Sequence, residues 1–230
     1  MHHNFCRSRM VAVMVFAALG CGLVQAQSTA GKQDCTLRLK SPASASGQQV
    51  AQDFSKANPC TTVPGLSVKS LSSVWSALLT SSSTGGKRFD TVPPAGAPTG
   101  KVLVGAQGLA FDLQSVFADG VTQLQISVAS VPVFNVVNPT APVLILPAAR
   151  LKPETVYDWV LTTRKASYKA SFETPGAEEL ADLQHKLDAL AAAALSPPVR
   201  LLYTAAIYDE AEFYFARDQI LAQLRPQVGP

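Results

Sequence analysis

The chain has 230 residues, 47% of them hydrophobic, with 19 Lys and Arg against 16 Asp and Glu for a formal charge of +3. That apolar share suffices for one large or two small cores, while the scattered basic residues, with no stripe of interleaved aromatics, exclude a phosphate-backbone binder.

Residues 2 to 9 carry Arg7 and Arg9 and no acid, and Met10 to Leu19 is an unbroken apolar run. Val24-Gln25-Ala26 then offers small residues at the positions that cleavage before Gln27 requires, so residues 1–26 read as a secretory signal peptide, too short to count as a spanning helix. Ala18-Leu19-Gly20-Cys21 approximates a lipid-attachment pattern and would anchor the chain at Cys21, but its first two residues fit that pattern poorly and simple cleavage ranks ahead. The expected localisation is therefore exported, periplasmic or secreted. No other apolar run has the length to cross a bilayer. Cleavage removes Arg7 and Arg9 and leaves 17 basic residues against 16 acidic ones.

Export also decides how the cysteines are read. Cys6 and Cys21 lie in the removed segment, leaving Cys35 and Cys60 as an even pair in a compartment where disulfides persist. Such a bond closes a loop of about 25 residues and stabilises by roughly 3 kcal/mol on the chain-entropy estimate.

Residues 27–90 read as an N-terminal region with short helices. Gly47 to Asn58 sets Val50, Phe54 and Ala57 on one helical face, with Ser46 as cap and Asn58-Pro59 as stop. Leu71, Val74, Trp75, Leu78 and Leu79 repeat the spacing of an amphipathic helix, with Ser70 as its cap, and put Trp75 in a core stripe. Thr84-Gly85-Gly86-Lys87-Arg88 is a flexible loop, since Ser81 stands where a phosphate loop needs its first Gly and Arg88 where it needs a hydroxyl. Three prolines and two glycines between Thr91 and Gly100 mark a linker or a kinked, edge-like first segment of the next domain.

From Lys101 short apolar segments alternate with turn signals. Strands are expected at Val102–Val104, Leu109–Leu113, Leu124–Val131, Val133–Val137, Val143–Leu146, Tyr157–Thr162 and Ser167–Phe172, with turns at Gly105, Asp119-Gly120, Pro132, Asn138-Pro139 and Pro147. In the sixth, Tyr157, Trp159 and Leu161 alternate with Val156, Asp158 and Val160, so one face is aromatic. The run Leu151-Lys152-Pro153-Glu154-Thr155-Val156-Tyr157 resembles the tyrosine corner of bacterial Ig-like and fibronectin type III-like domains. That resemblance implies a β-sandwich over residues 91–176, with the Tyr157 hydroxyl bonded back to the upstream backbone.

After Pro175-Gly176 the period changes to 3.6, and residues 177–230 read as a C-terminal helical hairpin. Its first helix, Glu178 to Ala194, carries Leu180, Leu183, Leu187, Leu190 and Ala194 on one stripe. Ser196-Pro197-Pro198 breaks it, and a second helix runs from Val199 to Leu224. The expected class is thus mainly β with α additions: a seven-stranded Ig/fibronectin III-like sandwich, a small N-terminal helical region and the hairpin. A sandwich followed by a helix pair is similar to exported bacterial proteins, which implies a compartment and no activity.

The residue census points away from catalysis, cofactors and metals. His185 is the one histidine left after cleavage and sits on a polar helix face, and neither S-x-x-K nor G-x-S-x-G occurs. Glu178, Glu179 and Asp182, and Asp209 with Glu212, lie along helices rather than converging from separate elements as a glycosidase requires. The expected function is a non-enzymatic binding or scaffold module of the bacterial cell envelope, meeting a protein partner through Tyr203, Tyr208, Tyr214 and Phe215 on the second helix. The alternative is an envelope hydrolase of glycan or peptide using Asp158, Asp209 or Glu212.

Overall fold

The computed structural model describes residues 45–57, 71–80 and 92–228. The signal peptide, Cys21, the Cys35–Cys60 pair, the Ser70 cap and the loop around Gly85 lie outside these residues.

Two helices come first. α1 (Ala45–Ala57) buries Ala51 and Phe54 and leaves Ala57 exposed, so its apolar stripe is narrower than expected. α2 (Leu71–Thr80) buries Val74, Trp75 and Leu78, and the Trp75 ring lies 5.0 Å from that of Phe54. Trp75 is thus a core residue. Both helices join one hydrophobic cluster with the C-terminal helices.

Seven strands follow: β1 (Gly100–Lys101), β2 (Gly108–Asp112), β3 (Val121–Val128), β4 (Val131–Val137), β5 (Val143–Pro147), β6 (Thr155–Thr163) and β7 (Ser167–Thr174). A one-turn helix, α3 (Gln114–Phe117), precedes β3, and a 3-10 turn, Ala148–Arg150, follows β5. The strands divide five and two, in a mixed sheet ordered β1-β7-β6-β3-β4 and an antiparallel pair β2-β5. β1 is the parallel member, pairing Gly100 with Phe172 and Lys101 with Glu173. More described residues lie in helices than in strands. The class is therefore mixed α/β, and the expectation of a mainly β, seven-stranded Ig-like sandwich is corrected on both counts.

Two local expectations fail for identifiable reasons. Val102–Val104 is not a strand, because the chain parts from β7 once the Val102 N–H has donated to the Glu173 carbonyl, and Val102 turns into the core. The turn expected at Pro132 falls at Ala129-Ser130, where both residues have positive φ, as a two-residue hairpin turn of the mirror-image type demands. Ala-Ser carries none of the Asn-Gly signature of such turns. Pro132 instead lies within β4, an edge strand, beside a bulge that leaves Val133 between the pairs Ser127–Pro132 and Ile126–Phe134.

The inner faces of the two sheets meet in one aromatic core. Phe111 of β2 points edge-on at Trp159 of β6 and Phe172 of β7, with centroids 6.0 and 6.1 Å apart, and Tyr157 stacks on Phe172 at 5.0 Å. The Tyr157 hydroxyl accepts a 2.6 Å hydrogen bond from the Lys152 N–H, while the Thr174 hydroxyl donates to the Lys152 carbonyl. Both backbone polar groups of Lys152, in the β5–β6 turn, are thereby tied to strands. The Trp159 indole N–H donates to the Pro98 carbonyl at 2.8 Å, and Pro94, Ala97 and Pro98 are buried. Residues 92–99 thus lie as a kinked first segment against the core.

Three helices complete the chain, where two were expected: α4 (Ala177–Ala191), α5 (Pro197–Glu210) and α6 (Tyr214–Val228). Leu183 and Leu190 are buried and Leu180 is exposed. α5 ends because Glu212 takes φ +63°, the Phe213 N–H reaches back to the Tyr208 carbonyl, and the Glu212 N–H reaches the Asp209 carbonyl. This is a Schellman motif, with buried Phe213 as its hydrophobic contact. A Gly normally occupies the left-handed position, so Glu212 hid the break.

Two stability measurements test this account. Tyr157→Phe should cost about 1–2 kcal/mol in denaturant unfolding with an unchanged slope, because the Lys152 N–H loses its acceptor. Glu212→Gly should stabilise by up to about 1 kcal/mol, since left-handed strain of about 1–2 kcal/mol outweighs the one exposed ion pair that Glu212 makes.

Candidate binding groove between strands and helices

The helical cluster and the strand cluster touch along a seam. Leu103, just after β1, packs on the helical cluster, and Phe215 of α6 packs on the strand cluster. In this seam lies a half-open groove of about 270 Å³, lined by Leu103, Leu109, Ala110, Tyr208, Phe215 and Ile220, with buried Ala216 and exposed Gln219 and Gln223 beside them. Among the described residues no Lys, Arg, Asp or Glu lines it. Gly108, also in the lining, has φ +129°, and a Cβ there would stand 2.0 Å from the Leu146 carbonyl oxygen, so only glycine fits. Burial holds the Tyr208 hydroxyl above its ordinary range, which keeps this wall uncharged.

Two ionic clasps hold the helices in place. Lys101 Nζ lies 2.7 Å from Glu179 Oε1 of α4 and 3.5 Å from Glu212 Oε2 of the α5–α6 turn, tying β1 to both. The hydrogen bond that Lys101 donates to Glu179 raises the Lys101 pKa, against the opposing pull of burial. Arg217 is buried, with Nη1 2.7 Å from Asp209 Oδ1, Nε 2.9 Å from Asp218 Oδ1 and its guanidinium 4.9 Å from the centre of the Tyr214 ring. Burial alone would lower its pKa, but the two carboxylates outweigh that and raise it. Asp209 also accepts a bond from the Ser73 hydroxyl of α2 at 3.2 Å, so this one carboxylate joins α2, α5 and α6.

The four aromatics expected to meet a partner have different fates. Tyr203 is buried, which removes it from any contact surface. Tyr208 and Phe215 are half-buried and share the groove, and Tyr214 is 40% exposed under Arg217. The acids of the hydrolase alternative do not converge. Asp158 sits on the outer face of β6, Asp209 is bound to Arg217, and Glu212 leans on Lys101. The structure does bring Glu179 and Glu212 together from separate elements, but around a lysine that both contact. His185 is exposed. Among the described residues no three His, Cys, Asp or Glu side chains are grouped to hold a metal ion, and no helix is long and apolar enough to cross a membrane. The sequence reading missed Lys101, Ala110, Gln219, Gln223 and the role of Arg217. An i, i+4 pair of glutamines on one helix was the one visible signal.

Comparison with protein-family models, curated proteins and solved structures gave no match.

Replacing Arg217 by Met should destabilise toward the low end of the roughly 3–5 kcal/mol that unpairing a buried ion costs, because Asp209 keeps the Ser73 hydroxyl and some water. Lys101 provides a pH signature. A raised folded pKa means that its stabilisation is complete below the ordinary value of 10.5 and is lost as pH rises through the higher folded value. The stability gap between the wild-type chain and Lys101→Met should thus hold at neutral pH and close in strong alkali, as measured by thermal melting across pH.

Proposed function

We propose that this chain is an exported, non-enzymatic binding module of the cell envelope that acts through protein–protein contact at the groove between β2 and α6. Export rests on Arg7, Arg9 and the apolar run Met10–Leu19. The observation that carries the binding reading is the groove itself: apolar walls, two exposed glutamines and no ionic group in its lining. Such a lining offers no charged group to neutralise a phosphate or a sugar acid. Its volume of about 270 Å³ falls below the roughly 300–1,000 Å³ typical of small-molecule sites, and suits one or two apolar side chains projecting from another protein. Tyr208 and Phe215 then serve as the rigid aromatic anchors common at such contacts.

The strand-rich half supports a relationship to Ig-like and fibronectin type III-like domains with a reduced second sheet. The back-bond from Tyr157 to Lys152 is the geometry that the tyrosine-corner motif implies. This kinship adds a platform for binding and no chemistry.

The test is capture of a partner from an envelope extract. The wild-type chain should retain an envelope protein that Ile220→Asp loses, and a photo-crosslinker at position 215 should attach to that same protein. Because Ile220 is half-buried, the exposed Gln223→Glu supplies a second groove variant whose melting temperature should stay unchanged while capture falls. Equal retention by all three chains removes the groove from the function. Turnover of a glycan or peptide substrate that Glu212→Gln abolishes would replace the binding reading with a hydrolase.

A further inference from the structure

We infer that the groove receives an extended peptide segment, which pairs through its backbone with Ala110 on the edge of β2 turned away from β5; this rests on the reading of the groove as a protein-contact site. Alternate residues of a strand present their N–H and C=O groups to opposite sides. On β2 the sides are fixed by observed bonds. The Leu113 N–H donates to the Pro142 carbonyl at 2.8 Å, on the β5 side, whereas the Asp112 N–H donates to the Gly96 carbonyl at 2.9 Å. Gly108 exchanges bonds in both directions with Gly105, at 3.0 and 3.2 Å. Leu109, Phe111 and Leu113 therefore address β5, and Gly108, Ala110 and Asp112 address the opposite side.

On that opposite side Gly108 and Asp112 have partners, and Ala110 between them has none among the described residues. Ala110 is exposed and lines the groove. One donor and one acceptor are thus held at strand geometry beside an apolar cavity, which is the chemistry of strand addition: backbone bonds supply affinity and a neighbouring pocket takes a side chain. The opening is one residue pair long, because Gly105 and Gly96 close it at either end. A passing segment can therefore form two backbone bonds with Ala110 and insert one apolar side chain. The exposed amides of Gln219 and Gln223, one turn apart on α6, are suited to its remaining peptide groups. The segment recognised is extended, uncharged and apolar at the inserted position.

The probe is a terminally blocked hexapeptide of alternating Val and Thr, titrated into the 15N-labelled chain, with a second peptide N-methylated at its two central residues. The unmodified peptide should shift the amide signal of Ala110 together with the side-chain amides of Gln219 and Gln223. N-methylation should weaken binding by at least about 10-fold, which is 1.4 kcal/mol. Ala110→Pro deletes the donor on the side away from β5 and should weaken binding similarly, while Ala110→Val should not. Equal affinity of the two peptides overturns the inference, and so does a titration that moves Phe215 and Ile220 but leaves the Ala110 amide unmoved. In either case the protein-contact reading stands or falls separately, on capture by Ile220→Asp. Absence of any shift with the unmodified peptide also overturns the inference.

Discussion

The strand layer is positioned from the backbone of one residue, Lys152, whose N–H is accepted by Tyr157 and whose carbonyl is held by Thr174. Backbone groups left unpaired where a turn meets the core are costly, so these two hydroxyls fix where β6 starts and how it meets β7. Once Tyr157 is placed, Trp159 is carried two residues on to the same face, where its indole takes the Pro98 carbonyl. That bond lays residues 92–99 on the core and delivers β1 to β7. β1 in turn places Lys101 at the helices and Leu103 in the groove. A chain of local contacts, each justified by an otherwise unpaired polar group, thus runs from a turn to the candidate site.

The helical layer arrives at the same seam by another route. Its apolar stripes alone would let α5 and α6 slide along each other, since hydrophobic contact is not directional. The Schellman turn at Glu212 and the buried Arg217 remove that freedom, the first by setting the corner and the second by binding carboxylates on α5 and α6. Phe215 then falls on the strand core rather than among the helices. The groove is the space left where two cores of different period meet, which explains its apolar walls without any ionic group.

The parts legible in the sequence are those written as repetition. The stripe of α2 and the alternation of Tyr157, Trp159 and Leu161 each repeat a period that burial imposes, and each is found where the period puts it. What escaped reading was held by single residues in unusual conformations. Glu212 replaces the expected Gly at a helix end, and Ala129-Ser130 replaces the expected Asn-Gly in a hairpin. Tyr203 and Tyr208 look alike in sequence, yet one is core and the other lines the groove. The edge at Ala110, unpaired among the described residues, leaves no mark at all, because strand neighbours are a property of topology and not of composition.

The two-residue pairing of β1 with β7 has a kinetic corollary. Gly100 and Phe172 meet only after every other strand has been threaded between them, so this contact carries a large loop-closure entropy for very few hydrogen bonds. That balance favours late assembly and early opening of this strand pair, next to the groove that Leu103 lines.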